Sequence, residues 1–108
     1  MPHLDTLGPF AGWLMDKCGF RAERVAEILS AEPAKLFRHD LHLTHGVIAT
    51  GCAASFTLLD AGSDTLVENN RIKQRGPLRT LCGWSPFEGI SLPARVSRTI
   101  VRGKHYTF

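Results

Sequence analysis

The sequence predicts an α+β fold in which helices come first and strands follow. Three observations carry this. Apolar residues recur at helical spacing up to about Phe37, short β-prone runs bounded by turn residues begin at Gly46, and the two textures do not alternate as repeated βαβ units would. The 108 residues amount to about one domain, with 44% hydrophobic and 8% aromatic residues. That composition excludes a disordered chain. No run approaches the roughly 20 apolar residues of a bilayer span. The opening Met1-Pro2-His3-Leu4-Asp5 has neither the basic nor the apolar part of a signal peptide, so a cytoplasmic location is expected.

Residues 4–18 read as a helix with Leu7, Phe10, Ala11, Leu14, Met15 and Cys18 on one face. Asp5 or Thr6 is placed to cap it, Pro9 is tolerated in its first turn, and Gly19 is placed to stop it. A second helix over about 21–30 puts Ala22, Val25, Ala26 and Leu29 on its buried face. Pro33 is expected to end it and to open a short third helix to Phe37. Val47-Ile48-Ala49 is a short apolar run, Ser55–Leu59 a strand ending at the turn cluster Asp60-Ala61-Gly62-Ser63, and Thr65-Leu66-Val67 a weaker strand. Residues 69–80 read as a polar, basic loop and Ser85–Gly89 as a turn. Arg95–Val101 and Lys104–Phe108 form a hairpin turning at Arg102-Gly103.

Cys18, Cys52 and Cys82 cannot all pair within the chain and form no C-x-x-C, so they read as reduced, small core residues. The net charge of +3 is unevenly spread. Residues 1–68 carry 5 basic and 9 acidic side chains, whereas residues 69–108 carry 8 basic side chains and one acidic, Glu88. Arg71, Lys73, Arg75 and Arg79, with Arg95, Arg98, Arg102 and Lys104, are the sequence's best hint of nucleic-acid binding. Aromatic interleaving is poor, and a solvated basic surface accounts for the same residues.

His39, His42 and His45 would share one side of a helix and offer a metal site. On a strand His42 would face away from the other two, and only Asp40 stands nearby as a further ligand, so exposed histidines are the expectation. His3 and His105 have no evident ligand partner. Nucleophile-elbow and Gly-rich phosphate-loop motifs are absent. Glu23 and Glu27 are spaced as an exposed, mutually repelling pair.

The string Cys82-Gly83-Trp84-Ser85-Pro86-Phe87-Glu88-Gly89, followed by Ala94-Arg95-Val96 and Thr99–Lys104, resembles the carboxy-terminal end of dihydroorotases, members of the metal-dependent amidohydrolase superfamily. Leu29–Phe37 is similar to the helix-end motif of these enzymes, Gly46–Gly51 with Ala54 and Leu58-Leu59-Asp60 to their strand pair, and Pro2–Thr6 to the stretch after the last barrel strand. Two positions depart from the pattern: Ser55 stands where the family has Asp, and Glu32 where it has Asn.

The resemblance implies that residues 1–38 are terminal helices of a (β/α)8 barrel and residues 39–108 strands of the small β-sandwich with a C-terminal hairpin. It implies reversible hydrolysis of dihydroorotate to N-carbamoyl-aspartate in pyrimidine biosynthesis. It also implies one or two zinc ions, often bridged by a carboxylated lysine, that would supply the attacking hydroxide, with a barrel aspartate to move the proton. The family's metal ligands and catalytic groups match no position here, so the chain is expected to be a fragment or truncated product with no catalytic residue, no zinc and no turnover of its own. Pro2 and His3 are the positions expected nearest the substrate-facing rim. The expected partner is the upstream barrel portion, or a second copy through the helix faces left uncovered. A non-catalytic dihydroorotase-like binding partner and a small basic nucleic-acid module over 69–108 are the alternatives.

Overall fold

The computed structural model describes residues 3, 5–68 and 84–107. Helix α1 spans Leu7–Asp16, α2 Ala22–Ala26 and α3 Glu32–Leu36, and strands β1 Phe56–Leu66, β2 Ser91–Val101 and β3 Lys104–Thr107 follow. The strands form one antiparallel sheet in the order β1-β2-β3. Helices first and strands after is the expected α+β order. The basic loop 69–80, Cys82 and Pro2 lie outside the described residues.

Helix α1 begins at Thr6, which is fully buried, but its hydroxyl does not cap the helix. The hydroxyl donates to the His3 carbonyl oxygen at 3.1 Å, and the His3 Nδ1 lies 2.8 Å from it. With the only hydroxyl proton spent on the carbonyl, the imidazole N–H is the donor of that second bond. Thr6 does not cap because the turn from His3 to Thr6 claims its side chain first; the Thr6 N–H also bonds the His3 carbonyl, at 3.2 Å. Pro9 sits buried in the first turn. Gly19 adopts φ +70°, as a helix-stopping glycine should, and the Phe20 N–H bonds the Leu14 carbonyl at 3.1 Å.

The buried side of α1 is not the stripe of large residues expected from periodicity. Pro9, Ala11 and Gly12 are its buried members, Leu7, Phe10, Leu14 and Met15 are only half-buried, and Cys18 is exposed beyond the helix end. The reason is how closely the helix sits on β2. A Cβ at Gly12 would run into the Pro93 carbonyl oxygen and the Ala94 Cβ, and one at Gly8 would run into the Val96 Cγ2 methyl. One helical turn apart, the two glycines let backbone meet strand directly, and the larger side chains splay to either side. Cys52 is half-buried, so neither described cysteine is a core residue.

Residues 22–36 run as one uninterrupted helical stretch, with a single π-helical turn over Glu27–Ala31 joining α2 to α3. Pro33 therefore does not end the second helix. Ala31 and Glu32 keep helical dihedrals, and the Glu32 N–H reaches back five residues to the Glu27 carbonyl. A proline ring normally strikes the carbonyl four residues earlier; the wider π turn just before it makes room. Only Val25 is fully buried here. Leu29 is half-buried, and Ala22 and Ala26 are exposed, against the expected buried face.

Val47-Ile48-Ala49 forms no strand, and Ile48 is 85% exposed. In contrast, the two short strands expected on either side of Asp60–Ser63 are one strand. The turn cluster is an irregularity within β1: pairing runs Leu59↔Val96 and Asp60↔Arg95, then resumes at Asp64↔Pro93. The Asp60 carboxylate accepts the Gly62 N–H at 2.9 Å and the Ser63 hydroxyl at 2.7 Å, so the extra residues satisfy themselves locally and the chain keeps its direction. On β2 the irregularity meets Ala94, fully buried at φ +146°, whose carbonyl accepts the Thr65 hydroxyl at 2.8 Å.

The Ser85–Gly89 turn forms as expected. The Ser85 carbonyl and hydroxyl take the Glu88 and Phe87 N–H groups, and Gly89 turns with φ +76°. Val67 continues the sheet beyond β1 by exchanging hydrogen bonds with Gly89 and Ile90 at 2.9 and 3.0 Å. The Arg102-Gly103 hairpin is also present, both residues at positive φ as a tight two-residue turn requires. Val67 and Leu92 form the buried core, with Trp13 and Phe87 packed against them. Each such aliphatic side chain contributes about 1.5–3 kcal/mol by burial.

Gly12→Ala is expected to lower unfolding free energy by about 1–3 kcal/mol through overpacking, read as a shift in denaturant midpoint; an unchanged midpoint contradicts the close seating of α1. The Ser63 hydroxyl, and then the Gly62 N–H, hold the Asp60 carboxyl below its ordinary value. Its stabilisation is therefore complete above the unfolded-state value and is lost as pH falls through the lower folded one. An NMR titration should give Asp60 a midpoint below that of an unperturbed aspartate, and a midpoint at or above it contradicts the irregularity as described.

Candidate functional site

Among the described residues, two places gather chemistry-bearing side chains. The first is the entrance to α1. His3 is half-buried, its ring edge-on to Phe10 at 5.5 Å and tilted against Phe87 at 5.2 Å. Phe10 stacks in turn on Trp13 at 5.4 Å and on Phe87 at 5.8 Å. The cluster ties the residue before α1 to the turn before β2. Its one polar edge is the His3 Nδ1–Thr6 Oγ1 bond. Pro2, the other residue expected near a substrate, lies outside the described residues.

The second place is a cleft of about 400 Å³ between the end of the helical stretch and the loop that follows it. Ala31, Ala34, Lys35 and Arg38 form one wall, and Leu41, His42, Leu43, Thr44, His45 and Val47 the other. The loop is held there by two devices. Gly46, at φ +77°, lies so close to the helix that a Cβ would stand 2.8 Å from the Ala34 Cβ and 2.9 Å from the Ser30 carbonyl oxygen. Beyond it the chain closes on itself through the Ala53 N–H to Thr44 carbonyl bond at 2.8 Å.

Of the three histidines weighed as a metal site, His42 and His45 line this cleft and His39 does not; His39 Nε2 accepts the Arg38 Nε–H at 3.2 Å. Among the described residues no three of His, Cys, Asp and Glu converge as metal ligands would. Lys35 donates to Glu32 at 2.6 Å, and this hydrogen bond, then the charge of Glu32, raises the lysine's proton affinity. Sequence reasoning passed over Lys35, Arg38 and Thr44. The signal that points to them is Gly46, which follows the histidines directly and fixes how near the loop comes.

The basic stretch Arg71, Lys73, Arg75 and Arg79 falls outside the described residues. Arg95 stands opposite Asp60 in the β1–β2 register, Arg98 opposite Thr107, and the Lys104 Nζ lies 5.6 Å from the Tyr106 ring centroid. His105 is exposed on β3. Ser55, one of the two departures, accepts the Arg102 N–H at 3.2 Å and so holds the hairpin turn to the start of β1. Glu32, the other, takes the Lys35 ammonium. No helix among the described residues is long and apolar enough to cross a membrane.

No protein-family model matches the chain. It is similar to an allantoinase of Solibacter usitatus, 34% identical over 85 residues, which is 79% of this chain and 17% of that protein. It is similar to an L-hydantoinase of Paenarthrobacter aurescens, 32% identical over 81 residues, 75% of this chain and 16% of that protein. A dihydroorotase of Anaeromyxobacter dehalogenans matches at 32% over 81 residues, with the same 75% and 16% coverage. The matched stretch thus spans only 16–17% of the length of these curated relatives. Together they support a place in the cyclic amidohydrolase superfamily and do not single out dihydroorotases.

Gly46→Ala should cost about 1–3 kcal/mol by overpacking and should move backbone NMR resonances at Ser30 to Ala34. A variant with native stability and unmoved resonances contradicts the close approach that shapes the cleft.

Proposed function

We propose that the chain is the carboxy-terminal part of a cyclic amidohydrolase of the dihydroorotase type, whose complete enzyme reversibly hydrolyses dihydroorotate to N-carbamoyl-aspartate. The observation that carries this reading is the order of the motifs: Pro2–Thr6, Leu29–Phe37, Gly46–Asp60 and Cys82–Lys104 follow one another as they do at the end of that family. Similarity to three cyclic amidohydrolases over at least 75% of the chain supports the broader assignment. In this reading residues 1–38 are terminal barrel helices and residues 39–108 belong to the small β-sandwich and its hairpin. Pro2 and His3 lie nearest the substrate-facing rim, and the enzyme works in the cytoplasm.

The family implies zinc. The described residues do not fit it, because they bring no three suitable ligands together. No step of the ring opening is therefore assigned to these side chains. Their part is structural: α1 seats on the sheet through Gly8 and Gly12, and His3, Phe10 and Phe87 lock the entrance to α1 against the turn before β2. Among residues 22–36, Ala22, Ala26, Ile28 and Leu36 are exposed, with Leu36 at 75%. In this reading the upstream barrel portion packs on such exposed apolar residues; without it, a second copy of the chain covers them.

Three measurements test the proposal. Purified chain should show no stoichiometric zinc and no opening of dihydroorotate; zinc at one equivalent with turnover overturns it. A dihydroorotase whose own carboxy-terminal stretch is replaced by this chain should still open dihydroorotate; a soluble, zinc-loaded chimera without that activity contradicts the dihydroorotase assignment. Sedimentation of the chain alone should show association that Leu36→Glu weakens, and a compact monomer with no dye-binding apolar surface counts against the packing role of these exposed residues.

A further inference from the structure

The cleft between residues 31–38 and 41–47 has a two-sided chemistry that the amidohydrolase reading does not use. Lys35, Arg38, His42, Thr44 and His45 supply hydrogen-bond donors and positive charge, and no carboxylate is among its lining residues. Ala31, Ala34, Leu41, Leu43 and Val47 supply apolar surface within the same space. Its volume of about 400 Å³ falls in the range of small-molecule sites.

We propose that this cleft binds a small organic carboxylate, with the anionic head on Arg38 and the two imidazoles and the hydrocarbon body along Ala31, Ala34, Leu43 and Val47. Arg38 is the anchor. Its Nε–H is spent on His39, which orients the guanidinium and leaves the terminal amino groups as the fork that accepts a carboxylate in two parallel bonds. Lys35 is already engaged by Glu32 and adds field rather than a direct bond. His45 is half-buried, so its donor acts in a less solvated setting than that of the exposed His42. Gly46 holds the loop that carries both histidines close to Ala34. The apolar lining offers a hydrocarbon body contacts that an inorganic oxyanion would leave unused.

The test is a titration of the full chain with octanoate, 1-octanol and acetate, followed by isotope-labelled NMR of the histidine side chains and the Ser30–Val47 backbone. Octanoate should bind at least tenfold more tightly than either control, with shifts confined to residues 31–47 and to the His42 and His45 rings. Arg38→Gln should weaken octanoate at least fivefold and leave octanol unchanged. Circular dichroism should show that this exposed substitution keeps the fold, and Leu43→Ser should weaken octanoate while sparing acetate. Equal binding of octanoate and octanol, shifts spread over the whole surface, or an Arg38→Gln variant that binds octanoate as well as the native chain each overturns the proposal. None of these readouts depends on amidohydrolase activity, so the site stands or falls apart from that assignment.

Discussion

The direct seating of a helix on a strand governs this molecule. Gly8 and Gly12 bring the backbone of α1 against Pro93, Ala94 and Val96 of β2, leaving no room for even one methyl group at Gly12. Everything near the entrance to α1 follows from that distance. It places Phe10 and Trp13 where they can stack. It lets Phe87, at the turn before β2, close on them and on His3. Among the described residues, Val67 and Leu92 are buried beneath Trp13 and Phe87 while most larger side chains stay partly exposed. A chain of this size has little stability to spare, so one flush contact between helix and strand matters more than it would in a larger protein.

The second organising constraint is the Gly46 contact with Ser30, Ala31 and Ala34. It folds an otherwise irregular stretch back onto the helix and makes the cleft. Both glycine contacts work by removing a side chain so that two backbones can meet, and both join segments distant in kind: helix to sheet in one case, helix to loop in the other. The π turn at Glu27–Ala31 serves the same end, since it carries the helical stretch past Pro33 to the Lys35 and Arg38 positions.

Much of the order of elements was legible in the chain. The helical periodicity up to Phe37, the positive-φ turns at Gly19 and Arg102-Gly103, and the Ser85–Gly89 turn depend on local chemistry that a sequence states directly. What was not legible depends on distance partners. Asp60–Ser63 has the composition of a turn, and only the pairing of Asp64 with Pro93 shows that the strand resumes. Pro33 has the character of a stop, and only the π turn before it removes the clash. The Leu7–Cys18 stripe predicts burial of large residues, but contact through Gly8 and Gly12 inverts which side chains meet the sheet. The cleft was hidden for the same reason. Three histidines suggest a metal when counted along the chain, whereas the fold keeps two of them together and sets Arg38 beside them.

Helix α1 and the sheet fold as one unit, because Gly8 and Gly12 seat the helix directly on β2. Native-state hydrogen exchange of the isolated chain tests that unity most directly. Amides of Ala11–Met15 in α1 and of Leu92–Val96 in β2 should exchange through one shared opening, with the same free energy and the same denaturant dependence. Exchange of the α1 amides at unprotected rates while β2 stays protected would show that the helix is not held by the sheet, and the account would be wrong at its base.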